Sequence, residues 1–338
     1  KAPLQPPGAY PLRTAQCQIF ETGRFLDMTF LLNNQQWIFP EVHPQYTISL
    51  VAMERRKPDA AATIPLRGPY ASEAAFRAGI ARPAPRFPVS GVLAWTDTAS
   101  LPLLPSDDSA EVFLALRRAP RFDHDDGKSW LFRPYRELDA TNDKGHMRFT
   151  DERPKGFVPV FKGESFDIWQ PDTGTYYAYA DPKKIVRVLQ EKRESSARRT
   201  ESPWSHLAKA DMVREETLPY YSHRIAFRDV TNRTNSRTVI AALLPPEVAL
   251  VNQGPYLIRV RGDAKDEAFV LGALCSIPLD WFARRFVETH VNYFVLNMLP
   301  VPRPSREDAR WKRVVKVAGR LAAPDDRFAS WAKAVGVE

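Results

Sequence analysis

The stretch that decides the fold is His223-Arg224-Ile225-Ala226-Phe227-Arg228-Asp229-Val230, then Thr231-Asn232-Arg233-Thr234-Asn235-Ser236, then Arg237-Thr238-Val239-Ile240-Ala241-Ala242-Leu243-Leu244. Its two arms are rich in strand-forming residues and the segment between them is polar, the pattern of two strands joined by a projecting loop. Val248 to Val251 and Tyr256 to Val260 continue the strand pattern beyond Pro245-Pro246. Downstream, Glu267 to Glu288 predicts the longest helix, with Pro278 inside it. Pro300, Pro302 and Pro304 end a short strand, and Ser305 to Leu321 predicts an amphipathic helix with Trp311, Val314, Val315 and Ala318 on its apolar face.

Working upstream, Asp181-Pro182 starts a helix whose buried stripe is Ile185, Val186, Val188 and Leu189. From Glu194 to Ser205 apolar residues nearly vanish, which predicts a mobile basic loop. Ser109 to Arg118 reads as a short helix, with Ser109 as cap and Val112, Phe113 and Leu116 on its apolar face. Phe25 to Phe30 and Tyr46 to Met53 read as strands separated by the polar turn Asn33-Asn34-Gln35-Gln36, and the Pro-rich stretches 58–69 and 83–88 as connectors.

Composition bounds the partners. The 338 residues contain 44% hydrophobic residues, enough for a real core, and 48 Lys and Arg against 40 Asp and Glu give a net charge of +8. A pI near 9.4 suits an anionic partner such as nucleic acid. Cys17 and Cys275 stand far apart with no metal-ligand spacing, which fits a reducing cytoplasm. The most apolar run, Val239 to Val251, is broken by Pro245-Pro246 and Glu247, so no membrane partner is expected. Lys1 to Pro11 is unlike a signal peptide, and a first residue other than Met predicts a piece of a longer protein.

Further stretches bear on function when taken in order with the 224–246 stretch. Glu137-Leu138-Asp139-Ala140-Thr141-Asn142-Asp143 is followed by His146 and Arg148-Phe149, and Val158-Pro159-Val160-Phe161-Lys162-Gly163-Glu164 by Phe166-Asp167. After the 224–246 stretch come Phe282-Ala283-Arg284-Arg285, Val291-Asn292-Tyr293-Phe294-Val295-Leu296 and Leu299-Pro300-Val301-Pro302. Together they resemble the C-terminal, target-recognition region of the adenine-N6 DNA methyltransferases of type IIG restriction-modification systems and of the BREX and DISARM phage-defence systems. Lys162 and Glu164 reverse the family's usual Glu and Lys order. The 224–246 stretch is similar to the paired strands that open the recognition domain. Upstream, Ile38-Phe39-Pro40 and Val42-His43-Pro44 look like the last strands of the methyltransferase domain.

The resemblance implies a mixed α/β chain, in which the end of a Rossmann-like methyltransferase sheet (1–58) leads through a connecting region (59–150). A mostly β recognition domain with packing helices (151–304) and a helical segment (305–338) follow. It also implies double-stranded DNA as partner, with other subunits of a defence system as further candidates, and S-adenosylmethionine as methyl donor of the full-length parent. This chain carries no Asn-Pro-Pro-aromatic run and no Gly-rich strand-to-helix turn, so catalytic, cofactor and metal residues are expected to be none here, those motifs lying upstream of Lys1.

Asn232, Arg233 and Asn235 in the loop are candidates for base-edge contacts, flanked by Arg224, Arg228 and Arg237. The competing reading is a solvated hairpin loop with strand arginines in ion pairs. Lys183, Lys184 and Arg187, in a basic series with Lys192, Arg193, Arg198 and Arg199, are candidates for phosphate contacts, as are Arg148 and Lys162. Tyr176, Tyr177 and Tyr179 near Trp169 are candidate stacking residues, or core. Two rival functions stay open. One is a metal-dependent nuclease built on Asp172 and Asp181-Pro182-Lys183, the other a scaffold that docks a partner subunit through the helix around Trp311.

Overall fold

The computed structural model describes residues 17–337 apart from 45, 97, 105, 107, 200 and 201, so Lys1 to Pro11 lie outside the described residues. The fold is mixed α/β, with three sheets among the described residues. Two units separate between Arg118 and Ala119. The expected boundaries after 58, 150 and 304 do not match this division, because strand pairing and helix packing tie residues across each of them.

In the first unit, β1 (Arg24–Leu32) pairs antiparallel with β2 (Thr47–Glu54) and parallel with β3 (Thr63–Tyr70), and β4 (Arg86–Pro88) closes the order β2-β1-β3-β4. The Pro-rich stretches expected to be connectors therefore contribute two strands, which is why 59–88 belongs with 24–54. Asn33, fully buried, builds the turn after β1: its amide donates to the carbonyls of Phe39 and Val42 and accepts from Ile38 N and Phe39 N. That network holds Ile38 to Pro44 as turns, where the resemblance implied strands. β2 forms the sheet edge and is exposed from Ser49 onward, despite its apolar sequence. Three helices follow: α1 (Glu73–Ile80), capped by the Ser72 hydroxyl, α2 (Val89–Trp95) and α3 (Ser109–Leu116). Phe87, Trp95 and Phe113 meet edge-on at 5.1 to 6.1 Å and form this unit's aromatic core.

In the second unit, β5 (Leu131–Tyr135), β8 (Arg224–Phe227), β9 (Ala241–Leu244) and β11 (Tyr256–Arg261) make an antiparallel sheet of order β5-β11-β8-β9. A smaller sheet joins β6 (Val158–Phe161), β7 (Ala178–Ala180) and β10 (Ala249–Leu250) in the order β10-β6-β7. The chain passes from β9 through Pro245-Pro246 into β10, so the quoted stretch links both sheets. Asp181 caps α4 (Pro182–Ala197) by accepting from Lys183 N and Lys184 N, and Pro182 occupies its first turn.

The expected mobile loop at 194–205 is only partly a loop. α4 runs through Ala197, residues 200 and 201 lie outside the described residues, and Trp204 is buried edge-on to Tyr135 at 5.0 Å. After α5 (Lys209–Met212), the single long helix expected over 267–288 forms as two, α6 (Ala264–Leu274) and α7 (Ile277–Ala283). Pro278, which lacks an N–H, sits in the first turn of α7, where none is needed. Within the 291–296 stretch Asn292 caps α8 (Tyr293–Met298), and the short strand expected to end at Pro300 is reduced to an isolated bridge between Arg121 and Pro300. α9 (Ala309–Ala322) packs on α6 and α10 (Ala329–Val335) follows it. A Cβ at Gly272 would lie 2.9 Å from Val314, so glycine permits this helix contact. Trp331 also donates to buried Glu267 at 2.9 Å, so 305–338 is an integral layer rather than a separate segment. Among the described residues no helix is long and apolar enough to cross a membrane.

Candidate functional site

The polar loop 231–236 stands on β8 and β9, paired from Arg224↔Leu244 to Phe227↔Ala241. Its neck is closed by two threonines. Thr231 Oγ1 donates to Thr238 O at 2.9 Å, and Thr238 Oγ1 to Asn232 O at 3.1 Å. Within the loop, Asn232 Oδ1 accepts from the Thr234 N–H and hydroxyl at 2.9 and 3.0 Å, a local turn that fixes the tip.

α7 clasps the loop from below. Asp280, 4% exposed, accepts from Thr238 N at 2.7 Å and Val239 N at 2.8 Å. It also accepts from Arg284 Nε at 2.9 Å, and Arg284 in turn donates to the carbonyls of Asn235 and Ser236 at 2.8 and 2.6 Å. One buried carboxylate thus holds both the strand and the arginine that grips the tip. With the backbone held, Asn232 and Asn235 remain exposed and Arg233 half-buried. Positive charge converges here: burial first, then the charges of Arg284 and Arg233, hold the Arg285 guanidinium below its ordinary range. Arg285 also lies over the Trp281 ring at 5.0 Å. The exposed Asn235 amide and the NH2 of Asn232, whose oxygen already accepts from Thr234, lie beside this cation cluster, a pairing of polar and cationic groups suited to base edges next to phosphates.

The flanking arginines are engaged inside the fold, as the competing reading of strand arginines in ion pairs has it. Arg224 is buried, 2% exposed. It pairs with Glu137 at 3.3 Å, donates to the carbonyls of Pro219 and Val248, and lies over the Tyr256 ring at 4.9 Å. Arg228 ties Phe166 O and Asp167 to β8, and Arg237 donates to Cys275 O at 2.6 Å with Asp280 3.5 Å away. An arginine so committed cannot turn to a ligand without leaving buried acceptors unpaired. Lys162 pairs with Glu164 at 2.5 Å, and Arg148 is exposed with its guanidinium over Phe157 at 5.2 Å.

The basic series on α4 divides. Arg193 is fully buried, donating to Thr217 Oγ1, Gln190 Oε1 and Arg214 O, and Lys192 pairs with Asp143 at 2.6 Å. Lys183, Lys184 and Arg187 are exposed. Lys183 and Arg187 line a cleft of about 580 Å³ that also contains Glu215 and Glu247, carboxylates that oppose a polyanion there.

Residues of the rival readings serve the fold. Asp172 accepts from Gly174 N and the Tyr176 hydroxyl and pairs with Arg327 at 3.3 Å, while Asp181 is a helix cap. Trp311 is buried against Phe269 and belongs to the core, while Val317 and Leu321 of the same helix are exposed. Tyr176 stacks on Phe161 at 5.4 Å, Tyr177 donates to Ala140 O at 3.1 Å and Tyr179 is buried, which makes the three tyrosines core. Acidic side chains of the 137–143 stretch serve the fold too, since Glu137 accepts from Leu250 N and Asp139 from Thr141 N and Asn142 N. What the sequence left unnoticed is the Asp280–Arg284 clasp, whose only local signal is opposite charge at i,i+4 spacing.

No family model matches the chain, and no curated protein matches it. Solved structures with which it aligns include the type IIG restriction endonuclease BpuSI, at 8% identity and a TM-score of 0.37, over 96% of this chain and 44% of that one. They also include the type IIL restriction-modification enzyme MmeI in complex with DNA, at 11% identity and a TM-score of 0.40, over 93% of this chain and 42% of that one. The chain spans less than half the length of each.

Proposed function

We propose that this chain selects a DNA sequence, as the target-recognition part of an adenine-N6 DNA methyltransferase of a restriction-modification or phage-defence system. The observation that carries the proposal is the clasped loop, with Asn232 and Asn235 exposed on a backbone fixed by Arg284 and Asp280 beside Arg233 and Arg285. A preorganised loop loses little conformational freedom on binding, so its polar contacts convert into discrimination rather than into ordering. Methyl transfer itself is assigned to no residue of this chain, and S-adenosylmethionine belongs to the parent protein in this proposal.

The test replaces Asn232, Arg233 and Asn235 with Ala in the full-length parent and maps methylated sites in cells. Each lost bidentate base contact removes roughly 1–3 kcal/mol of discrimination, so the methylated motif degenerates while the transfer chemistry persists. An unchanged motif at unchanged occupancy shows that the loop does not read bases and is an ordinary solvated hairpin.

A further inference from the structure

A second basic surface lies in the first unit, in a cleft of about 620 Å³ between the start of β1 and the turn after β2. Arg24, Arg56, Lys57 and Arg86 line it, against a single lining carboxylate, Asp59. All four cations are exposed. Arg24 has a loose partner in Glu54 at 3.5 Å, and Arg86 donates to the Thr63 hydroxyl at 3.3 Å. Neither Arg56 nor Lys57 pairs with a carboxylate among the described residues. Counting Glu54 with Asp59, the cleft keeps an excess of positive charge.

This contrasts with the cleft beside α4, where two carboxylates face Lys183 and Arg187. It contrasts also with the buried arginines of the second unit, each already committed to internal acceptors. Held together in a concave surface, like charges repel in the free protein, and a polyanion relieves that repulsion while releasing its own counterions. The backbone N–H of Arg56 bonds to Glu54 O at 2.8 Å in a tight turn, so Arg56 and Lys57 issue from a defined backbone rather than a free tail.

We propose that this cleft binds the phosphodiesters of a polynucleotide backbone without regard to sequence, through Arg56 and Lys57 above all. This rests on the reading of DNA as partner, and assigns the positioning contacts to the first unit and base reading to the 231–236 loop. The experiment measures binding of a labelled random-sequence duplex to the 338-residue chain between 50 and 200 mM salt. Arg56→Ala/Lys57→Ala is compared with the charge-matched control Lys128→Ala/Lys265→Ala. Each phosphate contact contributes about 0.9 to the slope of log affinity against log salt, so the loss of two lowers it by about 1.8. Over that fourfold salt range the wild type should lose about twelvefold more affinity than the double variant, and the control should follow the wild type. All four residues are exposed, so a thermal melt unchanged from wild type accompanies a true contact effect.

An unchanged slope in the Arg56/Lys57 variant, or an equal drop in the control, overturns the assignment while leaving DNA binding intact. Failure of the wild-type chain to bind any duplex overturns both this proposal and the reading on which it rests. Inorganic phosphate that competes at millimolar concentration as well as the duplex does would show a small-anion site, and would also overturn the backbone assignment.

Discussion

Arg224→Met is the substitution that most sharply separates an internal role from a DNA-contacting one. Methionine keeps much of the arginine stem's volume but removes the charge, so the change leaves Glu137, with a side chain 3% exposed, without its one ion-pair partner among the described residues. The carbonyls of Pro219 and Val248 also lose a donor. Stranding one member of a buried ion pair costs about 3–5 kcal/mol, a large share of the 5–15 kcal/mol that typically holds a domain together. Urea unfolding followed by circular dichroism reads this directly as a lowered midpoint.

Burial raises the Glu137 carboxyl above its ordinary value, opposed by the Arg224 charge and the Leu250 N–H. Loss of Arg224 pushes it further in the same direction. A carboxyl with a raised folded-state pKa favours the native state in its protonated form, so that stability is present below the unfolded value near 4.5 and lost as pH rises through the folded one. The deficit of Arg224→Met should therefore shrink as pH falls toward 4.5. Adding Glu137→Gln, which can still accept from Leu250 N, should restore roughly 1–3 kcal/mol at neutral pH as a coupling in a double-mutant cycle. A single variant within about 0.5 kcal/mol of wild type, accompanied by a tenfold loss of DNA affinity, would refute the internal role.

Asp280→Ala strips the acceptor from Thr238 N, Val239 N and Arg284 at once and should cost about 3–5 kcal/mol by denaturant unfolding. Amide exchange at 231–239 should accelerate in it, and protection equal to wild type would contradict the clasp. Cys275 is buried with its thiol pushed up to about 12, whereas Cys17 is half-buried. Native protein at pH 8 should accordingly leave Cys275 unlabelled by a thiol reagent, mass mapping providing the check, until denaturant exposes it. The Asp308 carboxyl is lowered to about 2 by its hydrogen bonds with the Arg310 side chain and N–H. Its capping contribution to α9 is thus present above the ordinary value of 3.8 and lost as pH falls toward 2, which a titration of its side-chain carbon resonance would follow.

Much of the architecture was legible because periodicity and capping are local. The strand pattern at 25–30 and 46–53 formed β1 and β2, Asp181-Pro182 began α4 and the stripe of Trp311, Val315 and Ala318 buried one face of α9. Pro278 could be read as an interruption but not as a new start, since the choice depends on Ser276, whose hydroxyl caps the second helix. Prolines at 65, 69 and 88 argued for connectors, yet β1 pairs with β3 and β3 with β4 through them, because long-range pairing overrides a local breaker.

The sequence by itself determined a mixed α/β chain of basic charge and a polar loop between two apolar arms, for these follow from residue type and spacing along the chain. The fate of each charge was decided only by tertiary structure. Arg224, Arg193, Arg187 and Arg56 are alike in sequence terms, yet the first two are sealed inside against Glu137 and Thr217, the third faces Glu215 and Glu247, and the fourth stands in an open basic cleft. The physical reason is that a guanidinium's role depends on the dielectric and on the acceptors within a few ångströms of it. Those acceptors come from elements tens of residues away, as Glu137 does for Arg224.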